Sequence, residues 1–402
     1  MTASDVFAAP QSEAECAELI KEAAASATKL EITGGGSRSG FGHAVADAKR
    51  LSTKGFSGIS LYEPNALTIV AGAGTPVREI EVALAAENQQ LPFEPSDLRA
   101  LYGTKDAEPT IGGVVATGAS GPRRIQAGAC RDSLIGVRFV NGKGEAIKSG
   151  GRVMKNVTGY DLVKLSSGAH GTLGVLTEVA FKVLPRPEKV ATLRLSTLGE
   201  DAAVRAMSMA LGSPYDVTGA AHFPAGLDGE PTTMIRLEGF ANSVDYRADK
   251  LRAELRDLAD ADIDIDSDPE RCAASWKRVR DAEAFEGRPG AVWRVTVKPT
   301  DGPKLVGALR DKIKPDGVFY DWGGGLVWVL TPEVDDAGAT AIRTETNRCG
   351  GKATLVRASE DTRRRIAVFH PEPAVLARMS AGLRQVFDPA GVLNSGRMTL
   401  AA

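Results

Sequence analysis

The sequence is poor in the features that mark several classes of protein. Its 402 residues contain only four cysteines, far apart and without CxxC spacing, so we expect a reduced cytosolic setting and no iron–sulfur or zinc cluster. The net charge of −2 argues against a nucleic-acid-binding protein, because such proteins carry a basic surface. No apolar run approaches membrane-spanning length, and the N-terminal segment MTASDVFAAPQSEAECAELI lacks the basic and apolar regions of a signal peptide.

Glycine, in contrast, is abundant, and it is concentrated in a few segments. EITGGGSRSGFGHA (31–44) places five glycines within nine residues, directly after a strand predicted at 29–33. Such a cluster marks a backbone that bends sharply or approaches a ligand closely, and its exposed N–H groups suit a phosphate. A plain tight turn is the alternative for this segment alone. Neither a Walker A motif nor a Rossmann fingerprint is present, since the Lys-Ser/Thr pair and the following helix are missing.

A second stretch of glycines and small residues occurs in PTIGGVVATGASGPRR (109–124), this time without charge in its first half. A flat ligand that lies along the backbone needs small residues where it passes. The two segments together therefore predict a site for one elongated dinucleotide.

Local patterns predict the elements of the N-terminal part. Residues 12–27 have the spacing of an amphipathic helix that begins at a serine N-cap. A strand at 67–71 and a helix at about 76–88 follow, and Asn141-Gly142 between two alternating runs predicts a hairpin.

The rhythm of the sequence changes after Pro187. The order strand, helix, strand, strand, helix, strand occurs over 189–266 and again over 291–357, with a short helical linker around Trp276. Two such βαββαβ units predict two split-βαβ modules that share one antiparallel sheet with helices on one face. A last helix and a tail rich in proline and glycine end the chain.

Five ordered motifs carry a resemblance to a known family. They are TGGGSRSG (33–40), GGVVATGASG (112–121), RDSLIGVRFVNGKGEAI (131–147), GYDLVKLSSGAHGTLGVLTEVAFKVLPRP (159–187) and FDPAGVLNSG (387–396). They resemble FAD-linked oxidases of the vanillyl-alcohol-oxidase type, and among these the FAD-binding subunits of bacterial glycolate oxidase complexes. The resemblance covers nearly the whole chain and is weaker in its middle.

The resemblance implies an α+β fold with a two-part FAD-binding domain and a cap. The FAD-binding domain, of the p-cresol-methylhydroxylase type, would span 1–188, and the cap would span 189–358 with its two βαββαβ repeats forming an antiparallel sheet. Residues 359–402 would return to the FAD-binding domain.

The resemblance also implies which residues hold the cofactor FAD. They belong to the pyrophosphate loop, the wall along the flavin and ribityl chain, two segments near the cofactor and the returning tail. In that order they are Thr33, Gly34, Gly35, Gly36, Ser37 and Gly40; Gly112, Gly113, Ala116, Thr117, Gly118, Ser120 and Gly121; Asp161, Lys164, Thr172, Gly174 and Val175; and Asn394 and Arg397.

The chemistry of a flavin dehydrogenase for a 2-hydroxy acid requires an arginine for the carboxylate and a base for the hydroxyl proton. Arg236 and Arg294, near strand centres and at apparently matching positions of the two repeats, are candidates for the arginine, with a solvated sheet face as the alternative. His222 is the candidate base, or a histidine that only caps a strand end. Trp322 is a candidate pocket wall or a core residue.

The other histidines offer little else. His43 lies just past the glycine loop, where some relatives attach flavin covalently, and His170 is expected to stabilise a turn. The cap contains no histidine pair of the kind that binds a metal in related enzymes, so no metal site is expected. The absence of such a histidine pair indicates either a different base or a subunit that does not itself oxidise substrate.

The resemblance implies a function in glyoxylate metabolism. The chain would be the FAD-binding subunit of a glycolate oxidase (dehydrogenase) complex that converts glycolate to glyoxylate. Electrons would pass to a second FAD-linked subunit and an iron–sulfur subunit, with the complex in the cytoplasm or at the inner membrane through its partners. The alternatives are a self-sufficient FAD-dependent dehydrogenase for D-lactate or another 2-hydroxy acid, and a non-catalytic flavin-binding scaffold that relays electrons.

Overall fold

The computed structural model describes residues 8–45, 47–151, 159–226, 229–258 and 262–399. In these ranges the helices are α1 (Glu13–Ala25), α2 (Val77–Ala86), α3 (Arg99–Tyr102), α4 (Ile111–Thr117), α5 (Arg124–Ala127), α6 (Cys130–Ser133), α7 (Leu162–Ser166), α8 (Glu200–Gly212), α9 (Ala241–Leu258), α10 (Pro269–Arg280), α11 (Gly302–Ile313), α12 (Ala339–Arg348), α13 (Glu360–Arg365) and α14 (Ala374–Phe387). The strands are β1 (Leu30–Thr33), β2 (Lys49–Ser52), β3 (Ile59–Glu63), β4 (Thr68–Gly72), β5 (Gln89–Gln90), β6 (Leu134–Val140), β7 (Ala146–Gly150), β8 (Val175–Lys182), β9 (Leu184–Pro185), β10 (Lys189–Ser196), β11 (Val217–Phe223), β12 (Thr232–Gly239), β13 (Ile263–Asp266), β14 (Ala291–Thr296), β15 (Gly317–Asp321), β16 (Leu326–Thr331) and β17 (Lys352–Arg357).

Local sequence signals set the first elements. The Ser12 hydroxyl accepts the backbone N–H of Glu15 at 3.2 Å and so caps α1, as predicted. The predicted hairpin joins β6 to β7. Its turn is longer than the two residues of the Asn141-Gly142 signal, because the Asn141 side chain accepts the backbone N–H groups of Lys143 and Glu145 and closes a five-residue loop.

The N-terminal part contains a five-stranded antiparallel sheet in the order β3-β4-β8-β6-β7. The apolar sides of α2 and α4 pack on one face of this sheet and form its core. Beside it, β1 pairs in parallel with β2, and Leu30 of β1 also bridges Leu393 near the end of the chain. The returning tail is therefore part of the layer from which the glycine-rich loop leaves.

The segment predicted to form the cap, residues 189–358, contains one eight-stranded antiparallel sheet in the order β13-β10-β12-β11-β15-β16-β14-β17. Each half comes from one βαββαβ repeat, and the halves join where His222 of β11 pairs with Tyr320 of β15. Both repeats have the predicted order of elements. The helical linker is a full helix, α10.

The two faces of the cap sheet have different neighbours. One face packs against α8, α9, α11 and α12, with large apolar residues such as Trp293 and Leu251 at its centre. The other packs against α10 and against Leu98 and Leu101 of the N-terminal part. Cap residues that alternate with the helix-facing ones therefore point toward the N-terminal part. Within the described ranges, no helix combines the length and apolar character needed to cross a membrane.

A buried network of charges connects the cap to the N-terminal part. Arg236 of β12 donates to both carboxylate oxygens of Glu94, at 2.8 and 2.9 Å. Arg123 donates to both oxygens of Glu238, at 3.0 and 2.6 Å. Burial alone would raise the pKa of Glu94, but the charges of Arg236 and Arg123 outweigh it and lower this pKa to about 2.

We predict that Glu94→Gln destabilises the protein, because it leaves the buried Arg236 guanidinium with too little negative charge. Breaking a buried pair in this way costs about 3 kcal/mol of unfolding free energy. Because folding lowers the pKa of Glu94, its contribution is complete above pH about 4.5 and is lost as the pH falls toward 2. Urea unfolding at pH 7 and pH 4 measures both effects.

The matched control is Glu79→Gln, since Glu79 is exposed on α2 and its substitution should change the unfolding free energy by less than about 0.5 kcal/mol. Equal stabilities of the Glu94 and Glu79 variants at pH 7 would contradict the assigned role of the network.

Candidate functional site

The loop after β1 presents backbone N–H groups to an elongated cleft. Thr33, the three glycines after it and Ser37 all line this cleft, which encloses about 800 Å³, part of it open to solvent. In the described part of the chain, the N–H groups of residues 34–37 donate to no backbone or side-chain acceptor of the protein. Four neighbouring free donors form a strong site for phosphate oxygens.

Two glycines of this loop cannot be replaced without distortion. A Cβ atom on Gly35 would lie 1.7 Å from the backbone oxygen of Glu108, and Gly36 has a φ of +80°. The first is a close approach of two backbone segments, and the second is a left-handed conformation that side chains rarely adopt. The glycines therefore shape the loop as well as leave room for a ligand.

The opposite wall of the cleft is α4. Gly112, Gly113, Ala116 and Thr117 of this helix line the cleft. A Cβ atom on Gly113 would meet only the Thr110 hydroxyl, at 3.4 Å, and otherwise open space. The wall is smooth because its side chains are absent or small, as a flat ligand requires.

The returning tail closes one end of the cleft. Asn394 accepts the backbone N–H of Ile32 at 2.8 Å and donates to the backbone oxygen of His170 at 2.7 Å. Arg397 bonds the Glu31 carboxylate at 2.6 Å. The tail thereby fixes both the strand before the glycine loop and the turn after α7.

These features fit the cofactor that the sequence predicts. The free amides match the diphosphate of FAD, and the smooth wall matches its ribityl chain and flavin ring. When bound, FAD supplies a two-electron acceptor. The predicted cofactor residues that line the cleft are Thr33, Gly34, Gly35, Gly36, Ser37, Gly112, Gly113, Ala116, Thr117, Gly174, Asn394 and Arg397.

A second, inner pocket continues from the cleft toward the cap. Arg38, Phe41 and Thr117 line both cavities, so the two share a wall. The inner pocket encloses about 470 Å³, including space open to solvent, and is also lined by Arg294 and Asp321 from the cap sheet. A molecule held there would lie between the cofactor cleft and the cap.

Arg38 and Arg294 of this pocket form no ion pair among the described residues; Arg38 donates to the backbone oxygen of Ser96, whereas Arg294 lacks even such a contact. The described residues give its guanidinium no ion pair and no hydrogen bond, and its contact is the ring of Trp322, 5.9 Å from its Cζ atom. Burial, and then the charge of Arg124, lower the pKa of Arg294 to about 10, so it remains protonated at neutral pH. A small carboxylate would supply the missing negative charge.

Trp322 holds this corner of the pocket together. Its ring also stacks on Arg124, whose Cζ lies 4.7 Å from the ring centroid, and its indole N–H donates to the Gly121 oxygen at 3.3 Å. Its backbone has a φ of +52°, in the left-handed region. Such strain is commonly found at functional sites.

Several predicted residues lie elsewhere. His222 is fully buried on the helix-covered face of the cap sheet, with its Nδ1 atom 2.9 Å from the Thr233 hydroxyl, so it does not reach either cavity. Arg236 faces the N-terminal part, but Glu94 and Glu238 occupy its guanidinium. The two arginines also do not match in position, since Arg236 is on the third strand of its repeat and Arg294 on the first.

The other residues predicted to hold the cofactor lie outside the cleft. Ser120 and Gly121 line the inner pocket rather than the cleft. Asp161 and Lys164 are exposed at α7, where Asp161 caps the helix. The others pack behind the two walls, and these are Gly40, Gly118, Thr172 and Val175.

The two histidines near the cleft have structural partners. His43 is buried, with Nδ1 2.7 Å from the Arg363 oxygen and Nε2 accepting the Val368 N–H, so neither nitrogen is available for a covalent flavin. Arg363 is the first of three consecutive arginines, residues 363–365. It is buried and donates to the Gly42 oxygen, although the run as a whole is partly exposed. His170 lines the cleft, and burial lowers its pKa to about 3.

Sequence reasoning missed Arg38 and Asp321. Both stand in segments that the sequence singles out, SRSG and YDWGGG, but a lone charged residue beside glycines gives no sign of which cavity it lines. Among the described residues, no group of three or more His, Cys, Asp or Glu side chains is placed to hold a metal ion.

Comparison with known proteins identifies relatives along the whole chain. The FAD binding domain family matches residues 4–150. The chain is 35% identical over 382 residues to glycolate oxidase subunit GlcE of Escherichia coli, covering 95% of each. It is 37% identical over 134 residues to glycolate oxidase subunit GlcD of Bacillus subtilis, covering 33% of this chain and 27% of GlcD.

Other relatives share part of the sequence or the fold. A D-lactate dehydrogenase of Anaerostipes hadrus is 34% identical over 168 residues, which are 41% of this chain and 34% of that protein. A solved alkyldihydroxyacetonephosphate synthase, 16% identical, superposes with a TM-score of 0.66 over 96% of this chain and 76% of its own. This likeness confirms the predicted fold class. The chain therefore belongs to the FAD-linked oxidase family that includes glycolate oxidase subunit GlcE, and its cofactor is FAD.

Proposed function

We propose that this chain is the FAD-containing subunit of a glycolate oxidase complex and that it oxidises glycolate to glyoxylate. The observation that carries the proposal is the continuity between the amide-lined cleft and an inner pocket with a partly buried arginine that forms no ion pair among the described residues. A 2-hydroxy acid is the simplest molecule that needs both a flavin and a carboxylate site. Its relatives GlcE and GlcD are named as subunits of glycolate oxidase, which supports the same reading.

Arg294 binds the substrate carboxylate in this proposal. Its guanidinium offers a planar pair of N–H donors, and no protein carboxylate competes for them in the described structure. The ring of Trp322, which also stacks on Arg124, lies beside this guanidinium and orients it. The bound acid would then present its carbinol carbon toward the wall shared with the cofactor cleft.

The apolar side of the inner pocket favours a substrate with a small group on its carbinol carbon. Trp328, Leu326 and Val356 form its apolar side, which limits the group on the carbinol carbon and excludes water. The overall reaction is 2-hydroxy acid plus oxidised FAD to 2-oxo acid plus reduced FAD. Glycolate is our proposed substrate because its carbinol carbon carries only hydrogen and so needs the least space beside this apolar side.

Electrons leave through partner subunits in this proposal. The four cysteines are free and scattered, and Cys16, Cys130 and Cys272 are buried, so this chain does not supply an iron–sulfur cluster of its own. A second FAD-linked subunit and an iron–sulfur subunit would accept the electrons. We place the complex in the cytoplasm, with contact to the inner membrane through those partners.

Reduction of the bound flavin tests the function directly. We expect the purified chain to show the absorption bands of oxidised flavin, and we expect glycolate to bleach them under anaerobic conditions. D-lactate should bleach them at least tenfold more slowly at equal concentration, because an extra methyl group must enter the same pocket. A chain that holds FAD but is bleached by neither acid would instead be an electron-relay scaffold.

We predict that Arg294→Gln weakens substrate binding. Loss of a charge-assisted hydrogen bond of about 1.5–3 kcal/mol should raise the substrate concentration for half-maximal flavin reduction about 10- to 100-fold. FAD content should stay unchanged, because Arg294 lines only the inner pocket. Stopped-flow absorbance with glycolate measures both quantities.

Arg205→Gln is the control for Arg294→Gln, since Arg205 is an exposed arginine of the same cap. If the two variants reach half-maximal flavin reduction at the same glycolate concentration, Arg294 does not bind the substrate carboxylate.

We predict that Gly113→Leu prevents FAD binding without unfolding the protein. The added side chain meets little protein and projects into the cleft where the flavin wall is smooth. Equilibrium dialysis should show at least a 100-fold weaker FAD affinity, with unchanged circular dichroism. Gly307→Leu on α11 is the control, because a Cβ atom there also meets open space. Full FAD occupancy in the Gly113 variant would place the cofactor elsewhere.

A further inference from the structure

One carboxylate of the inner pocket has no role in the contacts described so far. Asp321 ends β15, and its side chain is only 3% exposed. Its Oδ1 atom accepts the backbone N–H of Trp322 at 2.7 Å. Its second oxygen accepts no hydrogen bond from the described residues, although the side chain lines the pocket that contains Arg294.

The charges around Asp321 are mixed. Arg38, Arg280 and Arg294 line the same pocket, while Arg236 and Glu94 lie behind it. Burial, and then the charge of Glu94, raise the pKa of Asp321 to about 7, against the lowering effects of the Trp322 N–H and of Arg236. A carboxyl group of this kind exchanges a proton readily at neutral pH.

Other candidates for a proton acceptor in this region are excluded by their position or partners. His222 lies on the opposite face of the cap sheet. Glu94 is held by Arg236 and Arg123. His170 lines the cofactor cleft but not the inner pocket, and it lies among three arginines and two phenylalanine rings.

We propose that Asp321 is the base that accepts the hydroxyl proton of the 2-hydroxy acid while Arg294 holds its carboxylate. This inference rests on the proposed function. The O–H bond breaks and its proton passes to the free oxygen of Asp321. The hydrogen on C2 leaves together with the electron pair of the C2–H bond, as a hydride for which bound FAD would be the acceptor, and the C2–O bond becomes the carbonyl of the 2-oxo acid.

The assignment predicts a pH profile. Asp321 must be ionised to accept a proton, so the rate of flavin reduction at low glycolate should fall about tenfold per pH unit below about 7 and level off above it. Product-like anions should behave in the opposite way. Oxalate places one carboxylate on Arg294 and the other beside Asp321, so it should bind only when Asp321 is protonated, and its affinity should fall about tenfold per unit above pH 7.

The decisive variant is Asp321→Asn, which keeps the shape and the bond from the Trp322 N–H. We expect flavin reduction by glycolate to slow at least 100-fold, while the glycolate concentration for half-maximal reduction changes less than threefold. FAD content should equal that of the wild type. Oxalate binding, measured through the change that it causes in the flavin absorption spectrum, should become independent of pH. Asp316→Asn, an exposed position just before the same strand, is the control and should behave like the wild type.

The outcomes separate the two proposals. Suppose that glycolate reduces the flavin of the wild-type protein. If the Asp321 variant is then fully active, or if its oxalate binding still depends on pH, the role of Asp321 is overturned and the proposed function stays intact. A wild-type protein that no 2-hydroxy acid reduces overturns the proposed function, and the base assignment with it.

Discussion

The structure depends on one constraint, the close packing of bare backbone in the loop after β1. Three of the four consecutive N–H groups that the described residues leave unbonded there belong to glycines, so no side chain of their own covers them, and Gly35 also packs directly on the backbone of Glu108. A loop without side chains has no packing of its own to hold it. Its neighbours must do so, and the bonds of Asn394 to Ile32 and of Arg397 to Glu31 fix it from the far end of the chain.

Much of this was readable from the sequence, because the signals are local. The glycine loop, the small residues of α4, the Ser12 cap and the doubled βαββαβ order each depend on neighbours a few residues apart. At the centre of the cap, the sequence did not show which face of the sheet a strand residue occupies. Every residue of VTGAAHF in β11 is buried, so no polar alternation shows that His222 points away from the N-terminal part while its neighbours Ala221 and Phe223 point toward it.

Long-range charge pairing was also beyond the sequence. Arg236 and Arg294 look alike, each in the middle of an apolar strand, and both lie on the sheet face toward the N-terminal part. Glu94, 142 positions before Arg236, neutralises one of them, and nothing among the described residues neutralises the other. A buried arginine with its carboxylates stabilises an interface, whereas a partly buried one without them leaves its hydrogen-bond donors open to a ligand.

The two repeats of the cap therefore have different tasks. The first repeat supplies Arg236 and Glu238, whose bonds to Glu94 and Arg123 attach the cap at a fixed orientation. The second supplies the groups that face the inner pocket, and its chain there turns sharply into the left-handed conformation at Trp322. That turn directs the last residue of β15 into the pocket while its N–H holds one carboxylate oxygen, and the other oxygen accepts no hydrogen bond from the described residues. The charge network of the first repeat holds the shared sheet against the N-terminal part, and the turn of the second repeat orients Asp321 within that sheet.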